Sequence, residues 1–117
     1  MPSKRASRRF QDILDNIESI QQYTRDMRQG KFVANNLVVD AVERCLSRIS
    51  EAAKKLGVAA ENLAPGQPWA KIRGLGNLLR HEYDTIRRSV IWEIVTDDLP
   101  SLHAACRKAI ATLDSKS

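Results

Sequence analysis

Asn35-Asn36-Leu37-Val38-Val39-Asp40-Ala41-Val42-Glu43-Arg44-Cys45-Leu46-Ser47-Arg48-Ile49-Ser50-Glu51-Ala52-Ala53-Lys54-Lys55-Leu56-Gly57 is the stretch that decides the fold. Val38, Ala41, Val42, Cys45, Ile49, Ala52, Ala53 and Leu56 recur at the three-and-four spacing of one helical face. Asn35 or Asn36 supplies an N-cap, and Gly57 supplies a stop. At 1.5 Å per residue the rod is roughly 30 Å long. A helix of that length can serve as the spine of a small bundle.

The same period extends in both directions. Upstream, Phe10, Ile13, Leu14, Ile17 and Ile20 predict a helix from about Ser7 to Arg28, closed by Gly30. Downstream, Val58 to Pro68 reads as a loop whose turn is Ala64-Pro65-Gly66-Gln67-Pro68. A third helix runs from Trp69 to about His81 or Tyr83, with Ile72, Leu75, Leu78 and Leu79 as its apolar face. Asp84 to Arg88 reads as a connection. Val90 to Val95 is β-branched enough for a strand, but the chain offers no partner strand, so it reads as helix. Asp97-Asp98-Leu99-Pro100 marks a boundary, because proline suits only a first turn. Leu99, Leu102, Cys106, Ala109, Ile110 and Leu113 then form the last apolar stripe.

The expectation is a single all-α domain over residues 7–113, an antiparallel helical bundle of about five helices, with residues 1–6 and 114–117 as flexible tails. A chain of 117 residues buries limited area, which leaves apolar helix face for a second copy and predicts a homodimer.

Hydrophobic residues are 43% and charged residues 28%, the balance of an ordinary folded domain. No uncharged apolar run approaches the ~18 residues that a membrane span needs. The basic N-terminus passes into acid-bearing amphipathic sequence and so does not read as an export signal, which predicts a cytoplasmic protein. Cys45 and Cys106 sit alone in apolar stripes and read as reduced core thiols. Nineteen Lys and Arg against fourteen Asp and Glu give +5, which is compatible with a polyanionic partner such as RNA. The chain has no phosphate-loop, HExxH or paired-cysteine pattern, and its two histidines are too few for a histidine-rich metal site.

Chemistry concentrates in Ile72-Arg73-Gly74-Leu75-Gly76-Asn77-Leu78-Leu79-Arg80-His81-Glu82-Tyr83-Asp84. On an ideal helical wheel, Arg73, Asn77, Arg80 and Asp84 fall within about 60° of one another, with His81 and Tyr83 flanking them. Gly74 and Gly76 avoid the middle of the apolar face and suit close approach of a ligand or backbone. Glu82 lands on the apolar face, so either the helix loosens after His81 or Glu82 pairs there with a cation. Guanidiniums fork onto phosphate, and imidazole moves protons near neutral pH. Such a set can cleave RNA without a metal, His81 taking the 2′-OH proton and arginine stabilising the phosphorane. The plainer alternative is a solvated polar face with an Arg–Asp pair.

His81-Glu82-Tyr83 supplies the His-x-Tyr half of an Arg, four to six residues, His-x-Tyr motif. Asp12-Ile13-Leu14, Ile49-Ser50-Glu51-Ala52, Pro68-Trp69, Ile91-Trp92 and Asp98-Leu99-Pro100-Ser101-Leu102 accompany it. Over about Ser7 to Leu113 the sequence resembles the HepT-like branch of the HEPN superfamily, small all-α toxins paired with a minimal nucleotidyltransferase antitoxin. The resemblance implies the toxin of a type II toxin–antitoxin system. It further implies a metal-independent endoribonuclease with no cofactor, whose two motif copies face each other across a homodimer cleft. It also implies neutralisation by the antitoxin, with AMP modification at Tyr83.

One departure is plain: with four intervening residues, the motif arginine falls on Gly76. Arg73, one turn earlier, is the expected replacement, which makes Arg73, His81 and Tyr83 the catalytic candidates. Asn77 and Arg80 are the candidate phosphate contacts, and Glu51 is a candidate partner for a motif arginine. Gly76 also favours an alternative, a non-catalytic HEPN module that binds a nucleotide or a protein partner.

Overall fold

The computed structural model describes the backbone of residues 2–81 and 84–116 and the side chains of residues 4–80 and 86–115. All elements among the described residues are helical: α1 (Pro2–Tyr23), α2 (Gln29–Ala34), α3 (Asn36–Leu56), α4 (Val58–Leu63), α5 (Trp69–Arg73), α6 (Leu75–His81), α7 (Asp84–Glu93), a π-helical turn (Ile94–Asp98) and α8 (Leu99–Lys116). None of the described helices is long and apolar enough to cross a membrane.

The long central rod forms where its caps place it. The Asn35 side chain accepts the Val38 N–H at 3.0 Å, and Gly57 closes the helix at φ +55°, ψ −139°. The apolar stripe is wider than the sequence spacing indicates: Val39 and Leu46 are buried, while Val38 and Ala41 are half-buried. The reason is packing on two sides, against α1 and against α5 and α6. Phe10, Ile13, Ile17 and Ile20 of α1 are fully buried against this stripe. Each such side chain contributes about 1.5–3 kcal/mol through removal from water.

Lys55 and Ala59 line one groove with Arg5, and Arg48 lines the next with Asn16, so α1 and α3 run antiparallel. His103 meets Glu18 while Leu113 lies beside Gln11, so α8 is antiparallel to α1 as well.

Several expected boundaries move. α1 ends at Tyr23 rather than Arg28, because Thr24 Oγ1 bonds back to the Ile20 carbonyl at 2.8 Å and Asp26 turns left-handed at φ +62°. Gly30 lies inside α2 and stops nothing. Residues 2–6 and 114–116 continue α1 and α8 as helix. Val58 to Pro68 is not one loop: its first half is α4. The third helix breaks at Gly74, and Asp84 to Arg88, expected as a connection, is the first part of α7. The α7–α8 junction holds the expected boundary in helical form. Pro100 has no N–H for the Thr96 carbonyl, and the Leu99 N–H reaches back to Ile94 in a π turn.

Candidate active site

The segment that carries the candidate chemistry is fixed by α5. Trp69 is buried, its indole N–H donates to the Ala64 carbonyl at 2.8 Å, and its ring meets Phe10 edge-on at 6.3 Å. Ile72 and Leu75 pack beside Ile49, and Ser50 Oγ donates to the Arg73 carbonyl at 2.9 Å. Both tryptophans therefore act in packing, since Trp92 lies against Phe32 at 5.1 Å.

Gly74 interrupts the helix. Its N–H is shared between the Ala70 and Lys71 carbonyls, both at 3.1 Å, and the Asn77 N–H restarts the ladder on the Gly74 carbonyl at 3.0 Å. This break separates residues that an ideal wheel groups together. Arg73 does not share a face with Asn77 and Arg80. Its guanidinium closes a fork on Glu61, Nη1 to Oε2 at 2.8 Å and Nη2 to Oε1 at 2.7 Å. Nη2 also donates to the Gly57 carbonyl at 2.9 Å, and Nε to the Ala53 carbonyl at 3.4 Å. Hydrogen bonding to Arg73 holds the Glu61 carboxyl below the usual range, and the same contact raises the Arg73 guanidinium further. Arg73 thus ties α5 to the α3–α4 corner.

Glu51 does not reach Arg73. Ser50 and Ala53 face α5, and Glu51 points about 100° further round the helix. It lines a groove with Arg9, Asp12, Asn16 and Arg48 instead. The acid that holds Arg73 is Glu61, which lies in sequence expected to be loop. The available signal was Val58-Ala59-Ala60-Glu61-Asn62-Leu63, a run of mostly good helix formers between Gly57 and Pro65.

Asn77 and Arg80 do come together. Arg80 Nη2 donates to Asn77 Oδ1 at 3.0 Å, and both side chains are exposed. The Arg80 guanidinium folds back over Gly76, where a Cβ would stand 3.5 Å from Nη1 and 3.9 Å from Cζ. A cation therefore lies above position 76 although residue 76 has no side chain. The next residue, His81, ends α6. The His81 side chain, Glu82, Tyr83 and the Asp84 side chain lie outside the described residues.

Two arginines hold α7 in place behind this segment. Arg87 pairs with Glu43 at 2.9 Å, and Arg88 donates to the Val33 carbonyl and to Asn36 Oδ1 at 2.9 and 2.8 Å. The other histidine, His103, is half-buried at 2.8 Å from Glu18, a contact between α8 and α1. Cys45 and Cys106 are both buried free thiols.

Comparison with known proteins gives a consistent picture. A family model described as "HepT-like: Ribonuclease HepT-like" matches residues 13–109. A Methanocaldococcus jannaschii protein named "Putative RNase" is 33% identical over 86% of this chain and 93% of its own length. A second from the same organism, with the same designation, is 35% identical over 86% of this chain and 84% of its own. A Thermococcus cleftensis protein named "Probable ribonuclease HepT" is 31% identical over 85% and 90%. No solved structure matches the chain.

Proposed function

Because the chain belongs to the HepT-like ribonuclease family, we propose that it is the toxin of a type II toxin–antitoxin pair, a metal-independent endoribonuclease that works as a cytoplasmic homodimer. The observation that carries the reading is the Arg80–Asn77 pair folded over Gly76, one residue before His81. It offers an exposed guanidinium whose one bond among the described residues is to Asn77, adjacent in sequence to the proposed general base. In this reading His81 takes the proton from the RNA 2′-OH. The 2′-oxygen attacks phosphorus, forming a 2′,3′-cyclic phosphate and breaking the bond to the 5′-oxygen. His81 of the partner subunit protonates that leaving oxygen. Arg80 stabilises the negative charge of the phosphorane, and Asn77 orients Arg80. Arg73 positions α5 and does not touch the phosphate.

Tyr83 follows the base by two residues, in the place the family motif gives to AMP modification by a nucleotidyltransferase antitoxin. A nucleotide added there would fill the cleft and repel RNA phosphate. The test is cleavage of RNA by the purified chain and by His81→Ala. Loss of at least about 10²-fold in turnover is expected, the usual scale for removing a general base.

A second reading is favoured by Gly76 itself and by the engagement of Arg73: a non-catalytic HEPN module that binds a nucleotide or the antitoxin. Under it, the parent chain binds its partner in pull-down and leaves RNA intact.

A further inference from the structure

The first nine residues carry Lys4, Arg5, Arg8 and Arg9 before the first acid, Asp12. They open α1, and its first turn holds no acidic residue. A helix N-terminus is the positive end of the macrodipole, so a cation in its first turn is unfavourable. Helix electrostatics therefore does not favour Lys4 and Arg5 where they stand.

The antiparallel packing of α1 on α3 brings these cations to a second set. Arg5, Arg8, Arg9 and Lys55 line one depression of about 310 Å³, with no acid among its lining residues. That volume lies at the lower end of ligand pockets, but such pockets are mostly apolar and this lining is all cationic. It suits a charged backbone rather than a buried base. Arg9 is tied to Asp12 at 3.2 Å, whereas Arg5, Arg8 and Lys55 have no ion pair among the described residues. The adjoining groove shares Arg9 and Lys55 and adds Arg48, but it also holds Asp12 and Glu51, so the acid-free stretch is the one between Arg5 and Lys55.

The track reaches the α3–α4 corner. Lys55 and Ala59 lie on its side of the corner, and the Ala53 and Gly57 carbonyls that hold Arg73 lie on the other. Ser50, which anchors the Arg73 backbone, is about 7.5 Å from Lys55 along the helix axis. Those five residues also turn about 140° round α3, so the track and α5 lie on different faces of that helix.

We propose that the groove formed by Arg5, Arg8, Arg9 and Lys55 is a phosphate-binding track for the RNA backbone, separate from the reaction centre. The proposal rests on the ribonuclease reading for the identity of the polyanion. The track holds strand upstream or downstream of the cleaved bond, so it acts on affinity for long RNA and leaves the chemical step alone.

The experiment is fluorescence anisotropy with a labelled single-stranded RNA of about 16 nucleotides, long enough to span site and track. His81→Ala serves as background, so that the RNA is not consumed. On that background Arg5→Gln, Arg8→Gln and Lys55→Gln are combined. Binding should weaken by about tenfold or more at low salt. The slope of log affinity against log salt should become shallower by about 2, since each lost phosphate contact removes about 0.7. With His81 intact, the triple variant should cleave a dinucleotide at the parental rate and raise KM only for the long RNA. Its Tm should stay within about 3 °C of the parent's, because all three side chains are exposed.

Unchanged RNA affinity and slope would overturn the track. Loss of binding to phosphatidylserine vesicles with RNA binding unchanged would also overturn it, in favour of a membrane surface. If the parent chain binds RNA through the track but cuts none, the ribonuclease reading fails and the track stands. If the parent binds no RNA at low salt, both fall.

Discussion

Arg73 and Glu61 meet through two parallel hydrogen bonds of 2.8 and 2.7 Å, one from each terminal nitrogen of the guanidinium to each carboxylate oxygen. The pair joins two short helices that would not hold their places alone. α4 and α5 are six and five residues long, well below the length at which a helix is stable in water. The same guanidinium also satisfies the Gly57 and Ala53 carbonyls at the end of α3. Substituting Arg73→Ala leaves the Glu61 charge without its partner and takes one donor from each of those carbonyls, the Gly57 carbonyl keeping the Ala60 N–H at 3.2 Å. We expect a Tm lower by roughly 5 °C. Arg73→Lys should recover only part of it, because an ammonium cannot fork.

The pair sets a pH dependence with a definite sign. Glu61 is held below its ordinary range by Arg73, so its contribution is present above the unfolded value, about 4.3. It is lost as pH falls through the lower folded value. Thermal melts from neutral pH to below about 4 should therefore show an acid-side loss of stability that is smaller in Glu61→Gln. Equal acid slopes in the two proteins would show that the pair does not contribute. Half of the Glu61 side chain is exposed, so salt should shrink the difference.

Gly57 is the one described glycine with positive φ, at +55° and ψ −139°. Nothing lies within 4 Å of where its Cβ would stand, so the obstacle is the backbone conformation and not space. Gly57→Ala should destabilise the chain by more than about 1 kcal/mol in urea unfolding. The same change at Gly76 meets ordinary contacts only and lies in a helix, so Gly76→Ala should be neutral or stabilising by up to about 1 kcal/mol.

These elements show what was legible in the sequence. α3 could be read because its cap, stripe and stop agree at Asn35, Val42 to Leu56 and Gly57. The buried face of α1 could be read for the same reason. The break at Gly74 could not, because glycine lowers helix stability without specifying a break, and the tertiary bond from Ser50 to Arg73 decides it. Once that break is missed, the wheel carries Arg73 onto the face of Asn77 and Arg80, whereas its guanidinium is bonded to Glu61. Glu61 was hidden because α4 is six residues long, too short to show an apolar period of its own. The Asn77–Arg80 pairing was legible because both lie on the unbroken side of Gly74.

The thiols give a check on the core. Burial pushes the Cys106 thiol up to about 12, and burial likewise raises Cys45 against the opposing pull of Arg48. Both should be inert to a thiolate-selective reagent at pH 8 in the native state, since little thiolate exists. Titration after unfolding should recover both of the two cysteines. Rapid native labelling of Cys106 would show that α8 opens from the bundle.

The last expectation ranks the two arginines. An ideal wheel makes Arg73 the phosphate ligand and Arg80 a flanking contact, and the bonded arrangement argues for the reverse. Arg73 spends four of its five N–H groups on Glu61, Gly57 and Ala53. Arg80 is exposed and makes a single hydrogen bond, to Asn77, among the described residues, and its guanidinium lies over the open position 76. Arg80→Ala should therefore reduce RNA turnover by about 10²-fold, the scale for losing a donor that stabilises transition-state charge. Its stability should change little, since the side chain is exposed. Arg73→Ala should keep most of its turnover when assayed well below its lowered Tm, with loss appearing as temperature rises. Arg80→Lys should rescue poorly, and Asn77→Ala should cost less than Arg80→Ala because Asn77 only orients the fork. Placing an arginine at position 76 in the Arg80→Ala background offers a cation from the backbone beneath the lost one. Recovery of turnover there would show that the space above residue 76, not the residue number, is what the phosphate requires. Parental turnover in Arg80→Ala, with loss in Arg73→Ala at equal folded fraction, would return the role to Arg73.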